Sequence, residues 1–149
     1  MEGELLLVAI VAGRHVALPA KDVASVSELE KVTPAPRAPH WIEGVGAQRS
    51  RALTVVNCQR AIGLKSTDHQ QDGEEETRCI VALCDDYLYA LRVDAILDVT
   101  MAKSDLAPAP RGLGATWSSV ATGVIETAFG PALMLDLPAL LAGPSREAA

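Results

Sequence analysis

Short apolar runs, separated by turn residues at intervals of roughly eight to twelve positions, dominate the chain. The first run, residues 5–12, reads as a buried strand. Gly13-Arg14 then predicts a type II′ turn with glycine first, and Val16 to Leu18 returns as a short second strand. Pro19 to Asp22 breaks the pairing, and Val23, Val26 and Leu29 resume an apolar series of mixed period. That series predicts a helical turn running into a strand over 24–31. Residues 33–39 carry prolines at 34, 36 and 39, so the segment is expected to be extended. A polyproline ligand for an SH3-type partner is one reading of it. The single Arg37 lies inside the motif rather than beside it, which favours a stiff connection.

Residues 41–60 predict a second hairpin. Gly44 and Gly46 open its first strand, Gln48 to Arg51 reverses the chain, and the apolar run Ala52 to Val56 leads away. Arg60 to Leu64 reads as a short turn. Residues 65–77 contain no apolar side chain beyond threonine methyls, which marks a solvated loop and the best internal boundary. The clearest hairpin follows: Cys79 to Cys84, a turn at Asp85-Asp86, and Tyr87 to Val93. Ile96 to Met101 extends into another strand, and residues 102–116 form a loop rich in Pro, Gly and Ala. Val120 to Thr127 and Ala132 to Leu135 flank a turn at 129–131. Asp136 is the expected N-cap of a helix over 137–142, with Pro138 in its first turn and Gly143-Pro144 as its stop.

About nine or ten short strands and one terminal helix predict an all-β barrel or sandwich. The polar loop near the middle suggests two small β units of similar size. Composition narrows the chemistry. Of 149 residues, 49% are apolar but only 3% aromatic, so the core must be Leu, Val, Ile and Ala. The net charge of −6 argues against nucleic acid or an anionic membrane as main ligand, although thirteen Lys and Arg leave room for a local basic patch. The odd cysteine count (Cys58, Cys79, Cys84) argues against a disulfide framework and for reduced core thiols in a cytoplasmic protein. Residues 5–12 resemble the apolar part of a signal peptide, but acidic Glu2 and Glu4 precede them and eight residues cannot span a bilayer. No direct membrane insertion is expected.

The histidines at 15, 40 and 69 stand apart, and no HxxxH, CxxC, HExxH or phosphate-binding glycine motif occurs. Neither metal nor cofactor is expected. Asp94 and Asp98 flank a strand and read as turn caps rather than an acid–base pair. A small β-barrel enzyme using Cys58 or His40 remains as a rival, since a cysteine nucleophile needs a positioned base.

Taken in order, these signals resemble the CheW family of bacterial chemotaxis adaptors, from about Leu5 to Leu141. Ala17-Leu18-Pro19 looks like the family's opening, and Thr33 to Pro39 like its linker. Ile42 to Ser50 is similar to a Gly-Val followed by a segment ending in Leu-Arg-Gly. Tyr89 to Asp94 with Ile96 and Val99 looks like its Val-Asp segment, and Leu135 to Leu141 like its ending. The chain departs from that pattern at Gln48 (leucine expected), Ser50 (glycine), Thr54 (proline) and Asn57 (aspartate).

The resemblance implies two packed five-stranded SH3-like barrels in a single domain spanning 1–149, with no active site. It also implies an adaptor joining the cytoplasmic tip of chemoreceptors to the regulatory domain of a CheA-type histidine kinase. An adaptor of another kinase pathway, such as pilus-based motility, is the alternative. Partner-facing positions implied are Val23, Val26, Gly44, Val45 and Arg49, with Ala90, Ile96 and Val99 lining a groove between barrels. Turn geometry and core packing are the competing roles for these residues.

Overall fold

Several apolar runs place large side chains on both faces of a strand, so both faces must be covered. The computed structural model, which describes residues 2–64 and 76–144, meets this demand with two sheets. Eleven strands are present among the described residues: β1 (Leu5–Val11), β2 (Arg14–Pro19), β3 (Val23–Glu28), β4 (Val32–Thr33), β5 (Ile42–Gln48), β6 (Arg51–Asn57), β7 (Arg78–Cys84), β8 (Tyr87–Arg92), β9 (Ala95–Met101), β10 (Ala121–Thr127) and β11 (Gly130–Leu135). One sheet runs β10-β11-β2-β1-β9 and the other β3-β7-β8-β6-β5-β4. Among the described residues only β11–β2 and β6–β8 are parallel pairs. Short α-helices α1 (Cys58–Ile62), α2 (Ala115–Ser118) and α3 (Leu137–Ala142) join these strands among the described residues.

The two-residue period of each strand divides its side chains between two cores. Leu7, Val11, Val16 and Leu18 from the first sheet meet Val56, Ile80 and Leu91 from the second in one central core. Alternate residues turn away into smaller outer cores. Leu6, Ala17, Ile125 and Met134 fill that of the first sheet, and Leu53, Val55, Cys79, Val81 and Ala90 that of the second. The all-β class, the pair of β units and the closing helix therefore stand as read from the sequence. The second sheet has six strands because Val32–Thr33 adds a short edge strand.

Helix α3 leaves the first sheet and packs against α1, which follows β6 of the second. Asp136 caps it by accepting from the Ala139 amide at 3.3 Å. Its Leu137 and Leu140 are buried in the central core. Two such leucines contribute about 3–6 kcal/mol, against about 1 kcal/mol for one neutral hydrogen bond. The leucines therefore anchor α3, and the Trp41 indole donating to the Leu141 carbonyl (3.2 Å) trims its position.

The division between the β units falls elsewhere than the composition suggests. Residues 65–75 of the expected boundary lie outside the described residues, and the strands on either side of them, β6 and β7, share one sheet. The chain passes between sheets from β2 to β3 and from β8 to β9. A polar run reports solvation, and carries no information on which sheet receives the next strand.

Other local expectations change for identifiable reasons. Val11 pairs with Arg14, so the first turn is Ala12-Gly13, with both φ positive (51° and 81°). That is type I′ rather than II′, the form whose twist matches the strands. Residues 24–31 hold no helix: a single 3₁₀ turn at Ala20–Asp22 precedes β3. The proline segment bends at Arg37 (φ 67°), which does not precede a proline and escapes that restriction. Residues 60–64, expected as a short turn, instead take part in the helix α1 (Cys58–Ile62) and its end. Asn57 caps α1, and Gly63 ends it in the left-handed region.

The β5–β6 turn, Arg49-Ser50, is also type I′, with φ of 50° and 67°. A non-glycine residue there carries roughly 1–2 kcal/mol of strain, partly offset by its smaller loss of backbone freedom. Ser50→Gly is expected to stabilise the protein by about 0.5–1 kcal/mol. The check is a higher urea midpoint with an unchanged slope.

Candidate partner-binding surfaces

The residues singled out from the sequence, Ala90 excepted, fall in three places. On β5, Gly44 is buried because the chain at Thr33-Pro34 crosses directly over it, and an added Cβ would collide with the Thr33 carbonyl oxygen. Its neighbour Val45 points outward and is 44% exposed. Arg49 stands at the β5–β6 tip, exposed, with no hydrogen bond or ion pair among the described residues. Beside the tip lies a shallow depression of about 330 Å³, lined by Val45, Gly46 and Ala47 together with Lys31 and Arg51. This is a basic edge on a chain of net charge −6.

On β3, Val23 and Val26 are half-buried against the central core. Ser25 and Ser27 alternate with Val26 and turn to the opposite face. Gln48, the last residue of β5, donates from its side-chain amide to both hydroxyls, at 3.2 Å (Ser25) and 2.5 Å (Ser27). In strand order β3 and β5 are far apart, so this side chain draws the sheet back on itself. Backbone bonds from Glu30 N to the Ala47 carbonyl (3.0 Å) and from Ala47 N to the Lys31 carbonyl (3.1 Å) complete the seam.

On the first sheet, β9 is an edge strand. Ile96 is packed in the central core, whereas Val99 is 48% exposed. Met101 is 55% exposed and lies opposite Leu5, 52% exposed, in the β1–β9 ladder. Val99, Met101 and Leu5 thus form an apolar surface. Ala90 belongs to neither place: it is fully buried in the outer core of the six-stranded sheet.

Polar side chains that the sequence did not mark as partners fix these elements. Glu43 on β5 accepts from Arg92 Nε on β8 (2.7 Å) and from Asn57 Nδ2 on β6 (2.9 Å). Asp94, at the crossing from β8 to β9, accepts from the Ala12 amide (2.8 Å) and from Gln59 Nε2 (2.7 Å). It thereby ties the first hairpin to α1. Glu76 accepts from the Ile96 amide (3.0 Å) and pairs with Arg78 (2.9 Å). The Arg78 hydrogen bond holds the Glu76 carboxyl below its usual range, against a partial burial that acts the other way.

Cys58 is enclosed in the central core. Burial first, then the neighbouring Cys79 thiol and the Asp94 and Glu43 carboxylates, push its thiol far above the ordinary value. A thiol so placed stays protonated and out of reach of substrate. His40 is exposed, and its carbonyl accepts from Arg60. Among the described residues no three His, Cys, Asp or Glu side chains converge as a metal site, and no helix is long and apolar enough to cross a membrane.

Comparison with known proteins bears on these surfaces. The family model described as CheW-like domain matches residues 5–145. The crystal structure of the scaffolding protein TtCheW from Thermoanaerobacter tengcongensis superposes with a TM-score of 0.74. Identity is 18%, over 90% of this chain and 89% of that one. No curated protein matches.

The Glu43 cluster generates a test. Asn57→Asp keeps the acceptor that caps α1 but sets a second carboxylate against Glu43. Like-charge contact raises the folded-state carboxyl pKa above its unfolded value, so the deficit is full at high pH and fades as pH falls. The expected loss is about 1–2 kcal/mol near neutral pH, shrinking towards about pH 4, measured by urea denaturation at both.

Proposed function

The chain belongs to the CheW-like domain family, and from that premise we propose that it is a non-enzymatic adaptor. It couples the cytoplasmic tips of chemoreceptors to a CheA-type histidine kinase, working as a single domain of two subdomains at the inner face of the membrane. The supporting observation is that exposed side chains of two kinds occupy different sheets: Val45 and Arg49 on the six-stranded sheet, Leu5, Val99 and Met101 on the five-stranded one. An adaptor needs two surfaces that can be occupied at once, and the shared central core holds these two in one body.

The chemistry of each surface suggests its partner. The apolar group on β9 and β1 suits the apolar face of an amphipathic helix, the form of a receptor tip. The exposed Val45, the unpartnered Arg49 and the basic-edged depression suit another β domain with acidic side chains at its contact, here the regulatory domain of the kinase. Val23 and Val26 pack on the central core and anchor β3, whose serines reach Gln48 beside that surface. Ala90 and Ile96, being buried, act by shaping the sheets. Modest affinity at each contact becomes firm attachment once many copies assemble together.

Reconstitution with a kinase and a receptor tests the reading: kinase activity becomes receptor-dependent only when the adaptor is present. Arg49→Ala is expected to keep the thermal midpoint within a degree or two, as surface changes do, and to weaken kinase binding by about tenfold, or 1.4 kcal/mol. Val99→Glu is expected to spare kinase binding and abolish receptor dependence. A folded Arg49→Ala protein that binds the kinase with unchanged affinity would overturn the assignment.

A further inference from the structure

Gln48 immediately precedes Arg49 and is the last paired residue of β5, opposite Arg51. Beyond it the two-residue loop has no neighbouring strand: β4 pairs only with Val45 and Gly46. Such a tip is free to rock unless something outside the hairpin holds it. Backbone bonds from Glu30 and to Lys31 hold β5 as far as Ala47, and the Gln48 amide carries that hold one residue closer to the tip through Ser25 and Ser27. Those serines are 3.2 Å from one another, and they lie on a strand whose Val23 and Val26 pack on the central core. The clasp therefore runs from the core, through β3, to the residue beside Arg49.

We infer that Gln48, with Ser25 and Ser27, is a positioning residue that fixes the direction in which Arg49 is presented to its partner. The inference rests on the partner role given to Arg49 above, and adds a second element, β3, to the same recognition surface. Substitution by leucine keeps nearly the same volume while removing both hydrogen bonds. It frees the tip without removing a core side chain, since Gln48 is only half-buried. The arginine is then ordered at the moment of binding rather than beforehand, and affinity falls.

The test is a double-mutant cycle on the full chain, read as affinity for the purified regulatory domain of a CheA-type kinase. Gln48→Leu is expected to weaken binding by roughly five- to tenfold. In the Arg49→Ala background the same change is expected to alter binding by less than about twofold, because its whole effect passes through Arg49. The paired change Ser25→Ala with Ser27→Ala approaches the clasp from the other side and should reproduce both results, which covers the case of a poorly folded Gln48 variant. A factor that is equal in the two backgrounds, or no effect of either clasp variant, overturns the inference while leaving the Arg49 assignment intact. Wild-type affinity in Arg49→Ala alone overturns both.

Discussion

Both sheets bury one face in the same apolar layer, and the rest of the molecule follows from that sharing. With phenylalanine, tyrosine and tryptophan only 3% of the chain, neither unit can build a large aromatic core of its own. Leu, Val, Ile and Ala side chains are instead divided between a common centre and two thin outer layers. A strand such as β7 then carries Ile80 and Ala82 inward to the common centre and Cys79 and Val81 outward. This explains why the run reads as continuously apolar. It also ties the two surfaces of the molecule together, because neither sheet can move on the other without opening that layer.

Polar groups are used where the apolar layer ends. Asp94 satisfies the Ala12 amide and Gln59 at the crossing between sheets, and Glu43 joins β5, β6 and β8. At these margins, residues that departed from the family resemblance acquire partners of their own. Asn57 can donate to the Glu43 carboxylate, which an aspartate cannot. Gln48 reaches two hydroxyls that a leucine would leave facing hydrocarbon. Read singly, each is drift; read with its neighbours, each belongs to a matched set.

How much of this was legible in the sequence depended on how local the signal was. Helix α3 was readable to its last residue because Asp136, Pro138 and Gly143 are adjacent instructions. The Asp85-Asp86 turn was equally plain. The identity of the turn after β1 was missed by one position, since Gly13 serves equally well in either hairpin type. Sheet membership was not readable, because the β1–β9 pairing and the parallel β6–β8 pairing join segments distant in sequence. Arg49 could be named from a motif resemblance. The hold of its neighbour Gln48 on β3 could not, because a glutamine and two serines more than twenty residues apart carry no signal until the sheet curls.

The passage of the chain from one sheet to the other and back sets an order of assembly on the ribosome. Every strand of the six-stranded sheet has been synthesised once Arg92 emerges. Strands β1 and β2, made first, must wait for β9 and β11 before their own ladder is complete. Non-local pairing of this kind is slow, and unpaired edges are exposed in the interval. The later-starting unit can therefore finish first and present its apolar face as the template on which the N-terminal hairpin is held. A chain built this way emerges from synthesis with its six-stranded sheet formed before its five-stranded sheet can be completed.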